Sequence, residues 1–273
     1  MLRKLKGCFN RRTLCLLGAG VLVCVLSFVL VRAVFFSKRP LYVLMYHHVV
    51  EDGEECNDMT VTVSRLKKDL IWLKAHGYQT VLPRELASGE PLPDRAVMIT
   101  FDDGYLSNYE LLYPALQEEG MKAVISVITC MPDRGDEHYV SWEMCREMTE
   151  SGLVEIGSHT YALHNLDAGG LWVSGGPNGI QRAFGETDQS FRSRVLDDIQ
   201  KSYDLIAENV GQPPTFLAYP FGVAEGSALK LVNGLFPVTA LTQSGVAQVR
   251  DDFHDLPRFR VTMNTGMNAF LPA

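Results

Sequence analysis

The sequence predicts an α/β fold in which helices cover a parallel sheet. Two observations lead to this prediction. Short apolar runs alternate with longer amphipathic segments between residues 41 and 219, and several of these runs are apolar at every position. Strands that are buried on both faces are typical of parallel sheets with helices on each side. An open doubly wound sheet and a closed (β/α) barrel both fit this pattern.

The individual elements follow from periodicity and capping. The apolar run at residues 41–45 predicts a buried strand, and Ser64 is the expected N-cap of a helix that ends at His76, before Gly77. Further strands are predicted at residues 79–82, 96–101, 123–129, 154–156 and 215–219, and further helices at 109–119, 142–150 and 192–210.

The stretch from residue 167 to residue 189 has no clear period. It is rich in glycine and polar residues, and it also carries Trp172 and Phe184. These features predict a long loop. A loop of this length is either a lid over a functional site or a tolerated surface insertion.

The N-terminal region predicts a membrane anchor. Residues 14–31 form an uncharged apolar run of 18 positions, which residues 33–36 extend past Arg32, and this is long enough to cross a bilayer. Five basic residues precede the run, and the first acidic residue is Glu51. The positive-inside rule then predicts a cytoplasmic segment (1–13), a transmembrane signal anchor (14–36) and an extracytoplasmic domain (37–273) of a single-pass cell-membrane protein. The alternatives are a cleaved signal peptide and a buried core helix.

Net charge argues against a nucleic-acid partner. The chain has 25 basic and 32 acidic residues, and eight of the basic ones lie in positions 1–39. The predicted extracytoplasmic part therefore carries a net charge of about −15. A neutral or partly cationic polymer is a more compatible partner.

Cysteine usage restricts the kind of metal site that the chain can build. The predicted extracytoplasmic part contains Cys56, Cys130 and Cys145, with no Cys-x-x-Cys pair. Any bound metal must therefore use histidine and carboxylate ligands. One disulfide among these three cysteines is left open.

Polar clusters stand at the ends of four predicted strands. They occupy residues 46–48, 102–105, 159–164 and 219–222. Because the carboxyl ends of parallel strands meet on one face of a sheet or barrel, these clusters are expected to converge there.

Two of these clusters together predict a metal site. Asp102 and Asp103 are adjacent after an apolar strand, where their charges would repel each other unless a cation or a proton lay between them. Taken alone, the pair followed by Gly104 also fits a turn. His159 and His164 are five positions apart, so a shared ion requires a turn between them. With Asp103 they would form a His-His-carboxylate set of the kind found in hydrolytic sites.

Two sequence motifs resemble those of a known family. Residues 100–105, TFDDGY, and residues 155–161, EIGSHTY, resemble the first two motifs of the polysaccharide deacetylases, carbohydrate esterase family 4. The resemblance extends over about residues 41–261 and implies a distorted (β/α) barrel. The five-residue histidine spacing is similar to that of the branch that contains the biofilm poly-N-acetylglucosamine deacetylases.

The resemblance also implies roles for the clustered residues. Asp102 would be the general base, and Asp103, His159 and His164 would hold a divalent metal. Zn²⁺ is the expected ion, although Co²⁺, Ni²⁺, Mn²⁺ and Fe²⁺ also suit such a ligand set. Aromatic and neighbouring residues of the same motifs would contact the substrate: Tyr105, Tyr161, Tyr219 and Pro220.

The chain departs from the family pattern at the third motif. Residues 218–222, AYPFG, stand where the family has RxPYG, so Ala218 replaces the arginine that would orient the base. Arg258 or Arg260 is expected to take over that task. Phe221 would contribute its backbone N–H to the oxyanion, which needs no tyrosine hydroxyl.

The family's general acid, a histidine on a C-terminal strand, also has no counterpart after Gly222. His47 or His48 offers this group at the other end of the chain, as in circularly permuted members of the same branch, because termini of a closed fold are usually neighbours. Strand alternation lets one of the two face the centre, and His47 is favoured.

These inferences predict a monomeric enzyme that removes N-acetyl groups from a GlcNAc-containing polysaccharide, either poly-N-acetylglucosamine or peptidoglycan, and releases acetate. Three alternatives stay open. An O-acetyl esterase acting on xylan-like polymers would share the site, a glycosidase would use two carboxylates, and a wall-binding module would keep the fold without catalysis.

Overall fold

A single large sheet organises the residues that the computed structural model describes, which are 39–165, 179–224, 226–249 and 252–273. The predicted cytoplasmic segment 1–13, the predicted anchor 14–36 and residues 167–178 of the predicted loop, with Trp172, lie outside these ranges. Within them, no helix combines the length and the apolar character that crossing a bilayer requires. Arg39–Ala273 forms a compact unit of its own.

Ten strands of the described residues belong to this sheet. In chain order they are β1 Arg39–Tyr46, β4 Gln79–Thr80, β5 Ala96–Phe101, β6 Ala123–Val127, β7 Val154–Ser158, β8 Phe216–Ala218, β9 Val238–Ala240, β10 Ala247–Val249, β11 Phe253–Leu256 and β12 Phe259–Arg260. A separate parallel pair consists of β2 His48–Val50 and β3 Thr60–Thr62.

The sheet is parallel apart from one strand. Its order is β10-β1-β5-β6-β7-β8-β9-β11, with β12 also paired to β1 and β4 to β5. Strand β10 runs antiparallel to β1, whereas the other pairs are parallel. The carboxyl ends of β1, β5, β7 and β8 therefore lie at the same rim.

Helices connect the strands. They are α1 Val63–Ala75, α2 Pro83–Ala87, α3 Tyr113–Glu119, α4 Cys130–Asp133, α5 Trp142–Glu150, α6 Asp188–Val210 and α7 Gly226–Asn233. A π-helical turn, Asn108–Leu112, precedes α3, and 3₁₀ turns occupy Pro220–Gly222 and Met267–Ala269. The predicted alternation of strands and helices is thus present.

The two ends of the sheet meet, so that it is nearly closed and barrel-like. Strand β11 is the last member of the strand order, whereas β12 pairs with β1 near the other end. Only Pro257 and Arg258 separate β11 from β12, so the two ends lie a few residues apart. Of the two architectures that the sequence left open, the structure has the barrel-like one.

Alternate residues of the strands divide between two hydrophobic clusters. Val43 and Met98 belong to a cluster that also contains residues of β8 to β11. Because β8, β9 and β11 lie far from β1 and β5 along the sheet order, that cluster fills the interior. Leu44 and Ile99 belong instead to a cluster that includes α1, α3 and α5. The strands are apolar on both faces for this reason.

Two helices begin earlier than the sequence predicts. Helix α1 begins at Val63, and Thr62 is its N-cap because the Thr62 hydroxyl accepts a backbone N–H of the first turn at 3.3 Å. The Ser64 hydroxyl, the predicted cap, instead bonds to the Asp52 carboxylate. Helix α6 begins four residues before its predicted start, because Thr187 caps it by accepting the N–H of Ser190 at 3.2 Å.

Cys56, Cys130 and Cys145 are all free thiols. Cys56 is exposed, and the other two are buried in separate hydrophobic clusters. No disulfide therefore links the cysteines of the described part.

Candidate active site

A polar site occupies the rim where the parallel strands end. His47 follows β1, Asp102 and Asp103 follow β5, and His159 follows β7, and all four are buried. The apolar residues before them form the strands, and the first polar side chains after them reach the rim. The predicted convergence is therefore observed.

Asp102 is held by a buried arginine. Nη1 and Nη2 of Arg258 donate to Oδ1 and Oδ2 of Asp102 at 2.7 and 2.8 Å, and the exposed fractions of the two residues are 0% and 1%. Arg258 also donates from Nη1 to Thr100 Oγ1 at 3.0 Å and from Nε to the Leu241 carbonyl at 2.7 Å. Burial opposes ionisation of Asp102, but the Arg258 charge and its hydrogen bonds hold the pKa of this carboxyl well below its usual range.

Arg260, the other predicted partner of Asp102, does not fill that role. Its side chain is exposed on β12, while Arg258 points inward from the short link between β11 and β12. In a regular strand, residues two positions apart face the same side. Arg258 and Arg260 face different sides because Arg258 lies in the link and Arg260 lies in the strand.

Asp103, His159 and His164 form a candidate metal site. One ligand atom from each lies within 4.8 Å of the others. Oδ1 of Asp103 is 3.4 Å from Nε2 of His159 and 3.4 Å from Nε2 of His164. Nδ1 of His159 donates to the Ala218 carbonyl at 2.8 Å, which leaves the Nε2 lone pair facing Asp103.

The local chemistry fits a cation. Oδ1 of Asp103 is buried and has no hydrogen-bond partner among the described residues. Burial and the charge of Asp102 raise the pKa of Asp103 to about 7, although the Tyr105 hydroxyl opposes this shift through a hydrogen bond. Burial also lowers the pKa of His159 to about 3, so its imidazole is neutral, as a ligand must be. A divalent ion would compensate the two adjacent carboxylates.

Left-handed backbone is concentrated at this rim. Four of the five non-glycine residues with positive φ in the described part belong to the site or adjoin it: Asp103 (73°), Thr160 (68°), Asn165 (57°) and Phe221 (57°). Such conformations are disfavoured for side chains with a Cβ and cluster at functional sites. At Asp103 the turn directs the carboxylate toward the two histidines.

Of the two candidate acids, His47 faces the site. Its Nε2 lies 3.9 Å from Oδ2 of Asp102, and burial lowers the pKa of His47 to about 4. The Asn108 amide donates to the His47 carbonyl at 3.0 Å and fixes this end of β1. The ring of the half-buried His48 packs 4.8 Å from that of Tyr105 instead.

Aromatic rings border the candidate metal ligands. The Phe221 ring lies 4.5 Å from the His164 ring and is 41% exposed. On another side, Tyr105 stacks on Tyr139 at 5.4 Å. Sequence reasoning missed Tyr139 because it lies in a polar loop with no periodic or motif signal.

Tyr219 and Pro220, predicted to contact substrate, are buried instead. The Tyr219 ring is fully buried in the cluster beneath α6 and α7, and its hydroxyl donates to Asn233 at 3.4 Å. Pro220 is buried at the start of a 3₁₀ turn. Tyr219 and Pro220 therefore help to position Phe221 and do not offer a surface to a substrate. Tyr161 is half-buried and donates its hydroxyl to Asp133 at 3.2 Å.

Comparisons with known proteins identify relatives of this chain. The sequence profile named Polysaccharide deacetylase matches residues 89–235. The poly-beta-1,6-N-acetyl-D-glucosamine N-deacetylase of Escherichia coli (strain K12) is 28% identical over 251 residues, which cover 83% of this chain and 37% of that protein. The chain therefore spans little more than a third of that relative. YxkH of Bacillus subtilis (strain 168) is 30% identical over 241 residues, covering 86% of this chain and 76% of YxkH.

A solved structure shows the same architecture. The de-N-acetylase from Aggregatibacter actinomycetemcomitans superposes with a TM-score of 0.72 at 25% identity, covering 85% of this chain and 100% of that chain. The profile match covers more than half of the present sequence, and it includes Asp102, Asp103, His159 and His164. The chain therefore belongs to the polysaccharide deacetylase family.

Proposed function

We propose that this protein hydrolyses the N-acetyl groups of poly-N-acetylglucosamine and releases acetate. The observation that carries the proposal is the meeting of an arginine-bound Asp102, a His-His-Asp ligand set and His47 at one rim. The E. coli relative, named for deacetylation of the β-1,6-linked polymer, supports this substrate over peptidoglycan.

Asp103, His159 and His164 are the residues that would hold the metal, and Zn²⁺ is the ion proposed. When bound, such an ion polarises the acetyl carbonyl and makes the attacking water more acidic. The Ala218 carbonyl keeps His159 in the tautomer that this arrangement needs.

Asp102 is proposed as the general base. Arg258 keeps its carboxylate ionised, so an Asp102 oxygen can take a proton from the attacking water as the new C–O bond forms. Because both oxygens of Asp102 are held by Arg258, the carboxylate has one orientation toward the substrate.

His47 is proposed as the group that returns a proton to the leaving nitrogen. Burial lowers its pKa to about 4, so His47 is neutral at rest and must receive the proton during the reaction. Asp102, 3.9 Å away, is the nearest described source. As the C–N bond breaks, the proton moves from His47 Nε2 to the amine, and the products are acetate and a free amino sugar.

Substrate contacts are proposed for three residues of the rim. The exposed faces of Phe221 and Tyr105 would pack against the sugar, and the Phe221 backbone N–H would donate to the oxyanion. Tyr161, half-buried beyond His159, would contact the same polymer farther from the reacting carbon.

The cellular setting is also a proposal. The uncharged run at residues 14–31, with five basic residues before it, supports a single-pass anchor with the hydrolase domain outside the cell membrane, acting as a monomer. Protease added to intact cells should then degrade the domain. A domain that the protease leaves intact would indicate that it faces the cytoplasm.

The deciding experiment measures acetate release by the purified chain on poly-β-1,6-GlcNAc, peptidoglycan and acetylated xylan. We expect release from the first polymer, loss of activity with a chelator, recovery with Zn²⁺, and loss in Asp103→Ala. Asp197→Ala is the matched control, because Asp197 is an exposed carboxylate on α6.

Other outcomes of this assay would identify a different activity. Shortened chains without acetate would indicate a glycosidase, and release only from xylan would indicate an O-acetyl esterase. Failure of all three polymers with metal-loaded protein would favour a wall-binding module. Activity that survives both chelation and Asp103→Ala would overturn the proposed mechanism.

A further inference from the structure

The two histidines of the candidate metal site are joined by an irregular turn. Strand β7 ends at Ser158, Thr160 has a left-handed φ of 68°, and His164 follows four residues later. Neither a helix nor a strand would direct both histidines to one point at this spacing. Whatever fixes residues 160–162 therefore also fixes the distance between the two imidazoles.

Side chains of α6 bind this turn. Oδ1 of Asp198 accepts the N–H of Tyr161 at 2.8 Å, and Oδ2 accepts the N–H of Ala162 at 2.9 Å. One helical turn later, the Ser202 hydroxyl bonds to the Ser158 hydroxyl at 2.7 Å. Asp198 and Ser202, at positions i and i+4, lie on the same face of α6 and are together called the α6 clamp.

The contacts of the α6 clamp extend to a third backbone group. Oγ of Ser158 accepts the N–H of Thr160 at 3.0 Å, and both Ser158 and Ser202 are fully buried. The N–H groups of three consecutive residues, 160 to 162, are thus bound by side chains rather than by a regular backbone ladder. Hydrogen bonds from backbone N–H groups to a carboxylate are stronger than those between neutral groups.

The opposite edge of the turn is also fixed. The N–H of Thr129 donates to the Thr160 carbonyl at 3.1 Å, and the N–H of Cys130 donates to the Tyr161 carbonyl at 3.2 Å. The turn is therefore held between the start of α4 and the α6 clamp. Its donors depend on the clamp, because the described hydrogen bonds of these three N–H groups end on Ser158 and Asp198.

We propose that Asp198 and Ser202 are positioning residues of the metal site, which set the turn so that His159 and His164 converge on Asp103 before an ion binds. This inference rests on the metal role of Asp103, His159 and His164 in the proposed function. The described hydrogen bonds of the two clamp residues go to the backbone of the turn and to Ser158, so their effect acts through the backbone. A site that is already ordered binds its ion without an ordering cost.

Removing the clamp should weaken metal binding more than it weakens the fold. Asparagine at position 198 keeps the size of the side chain but presents an NH₂ group to one of the two backbone N–H donors. Loss of supporting hydrogen bonds around ligands typically costs about 10- to 100-fold in metal affinity. We expect a loss in the lower part of that range for Asp198→Asn and a smaller one for Ser202→Ala, whose Ser158 contact to Thr160 persists.

The test measures the affinity of the purified full chain, without a polyhistidine tag, for Zn²⁺ in competition with a chromophoric chelator. It is run at pH 8, because burial raises the pKa of Asp198 to about 6 and the carboxylate must be ionised. Asp197→Asn is the matched control: it makes the same change of charge at the neighbouring, exposed position of α6. The unfolding temperature of each metal-free variant is recorded as well.

The proposal predicts an affinity about tenfold weaker for Asp198→Asn and within about twofold of wild type for Asp197→Asn. The visible spectrum of the Co²⁺-loaded protein should change in Asp198→Asn, because the ligand geometry changes, and should be retained in Asp197→Asn. Wild-type affinity and spectrum in both clamp variants would overturn the proposal. If Asp198→Asn does not fold, Ser202→Ala decides: a weaker Zn²⁺ affinity or a changed Co²⁺ spectrum supports the proposal, and wild-type values of both overturn it.

The results also separate this inference from the proposed function. Wild-type protein that binds Zn²⁺ but releases no acetate would overturn the deacetylase proposal and leave the clamp standing. An active enzyme whose clamp variants bind Zn²⁺ with wild-type affinity would overturn the clamp proposal and leave the deacetylase proposal standing. Absence of Zn²⁺ binding by the wild-type chain would overturn both.

Discussion

Arg258 donates two parallel hydrogen bonds, of 2.7 and 2.8 Å, to the two carboxylate oxygens of Asp102 across 156 positions of sequence. Both side chains are removed from water, and a buried charge of this kind is tolerated only when its partner and its remaining hydrogen bonds are supplied. The pair therefore determines both the charge and the orientation of the proposed base, and it leads to the first prediction.

Replacing Arg258 by lysine should lower kcat/KM by about 100-fold, because a point charge cannot hold both carboxylate oxygens and a misplaced base is costly. The acidic limb of the pH profile should also move to higher pH. Arg258 lowers the pKa of Asp102, the reaction needs ionised Asp102, and without the fork that pKa rises. The measurement is kcat/KM for acetate release between pH 4 and pH 9.

The matched control for this prediction is Arg260→Lys. It retains the charge at an exposed position two residues away, so it should leave the acidic limb unchanged. An acidic limb that moves equally in both variants, or in neither, would contradict the claim that the two hydrogen bonds from Arg258 to Asp102 govern the ionisation of the base.

His47→Gln should lower kcat by about 10²- to 10⁴-fold, the usual contribution of a proton-transferring group, with little change in KM. His48→Gln should have a much smaller effect, since its ring lies beside Tyr105 rather than beside Asp102. Steady-state kinetics of the two variants test this directly. A larger loss of kcat in His48→Gln would assign the proton transfer to the other histidine.

Asp103→Asn should abolish Zn²⁺ binding and yet stabilise the metal-free protein at pH 8. Burial and the Asp102 charge raise the pKa of Asp103 to about 7, compared with about 3.9 in an unfolded chain. Stability from a carboxyl whose folded pKa is raised is fully present below the unfolded value and is lost as pH rises through the folded value. Asparagine does not ionise, so the variant does not lose this stability as the pH rises. Asparagine also tolerates the left-handed φ of this position.

Thermal unfolding of chelator-treated protein checks this expectation. The variant should unfold at a higher temperature than wild type at pH 8, and the difference should shrink as pH falls toward 4. Asp197→Asn, at an exposed position, should show no such pattern. If the metal-free wild-type protein is instead more stable than the variant at pH 8, the raised pKa assigned to the buried Asp103 carboxyl is contradicted.

Phe221→Ala should raise KM for the polymer about two- to tenfold while changing kcat little. The ring packs 4.5 Å from His164 and is partly exposed, so its loss removes a contact surface of the kind worth about 0.5–1.5 kcal/mol. The backbone N–H proposed for the oxyanion is retained in alanine. A large fall in kcat with unchanged KM would mean that the ring, rather than the amide, supports the transition state.

The residues that follow long apolar strands could be predicted from sequence. Asp102 and Asp103 come directly after β5, and His159 follows β7, so the strand pattern alone places them at one rim. Alternation along β1 also indicated that a single histidine of the pair would face inward, and it is His47 that lies near Asp102. Strands of five to eight residues carry enough pattern to support such reasoning.

The parts that were wrong or undecided depend on short elements and on distant packing. Strand β12 has two residues, too few for any periodicity, so the sequence could not choose between Arg258 and Arg260. Tyr219 follows a three-residue strand, and only the packing of α6 and α7 shows that its ring is buried. Asp198 resembles any polar residue of a long helix until the turn that it holds is seen.

The two-residue link between β11 and β12 makes the counter-charge of Asp102 depend on the docking of the C-terminal strands. Until the C-terminal strands dock beside β1, the Asp102 carboxylate lacks the Arg258 counter-charge. Burying an unpaired carboxylate between the surrounding strands is unfavourable. Docking of β12 beside β1 closes the sheet, and it also brings Arg258 to the Asp102 carboxylate. A chain whose C-terminal strands are not docked would therefore lack both the closed sheet and an oriented, ionised Asp102.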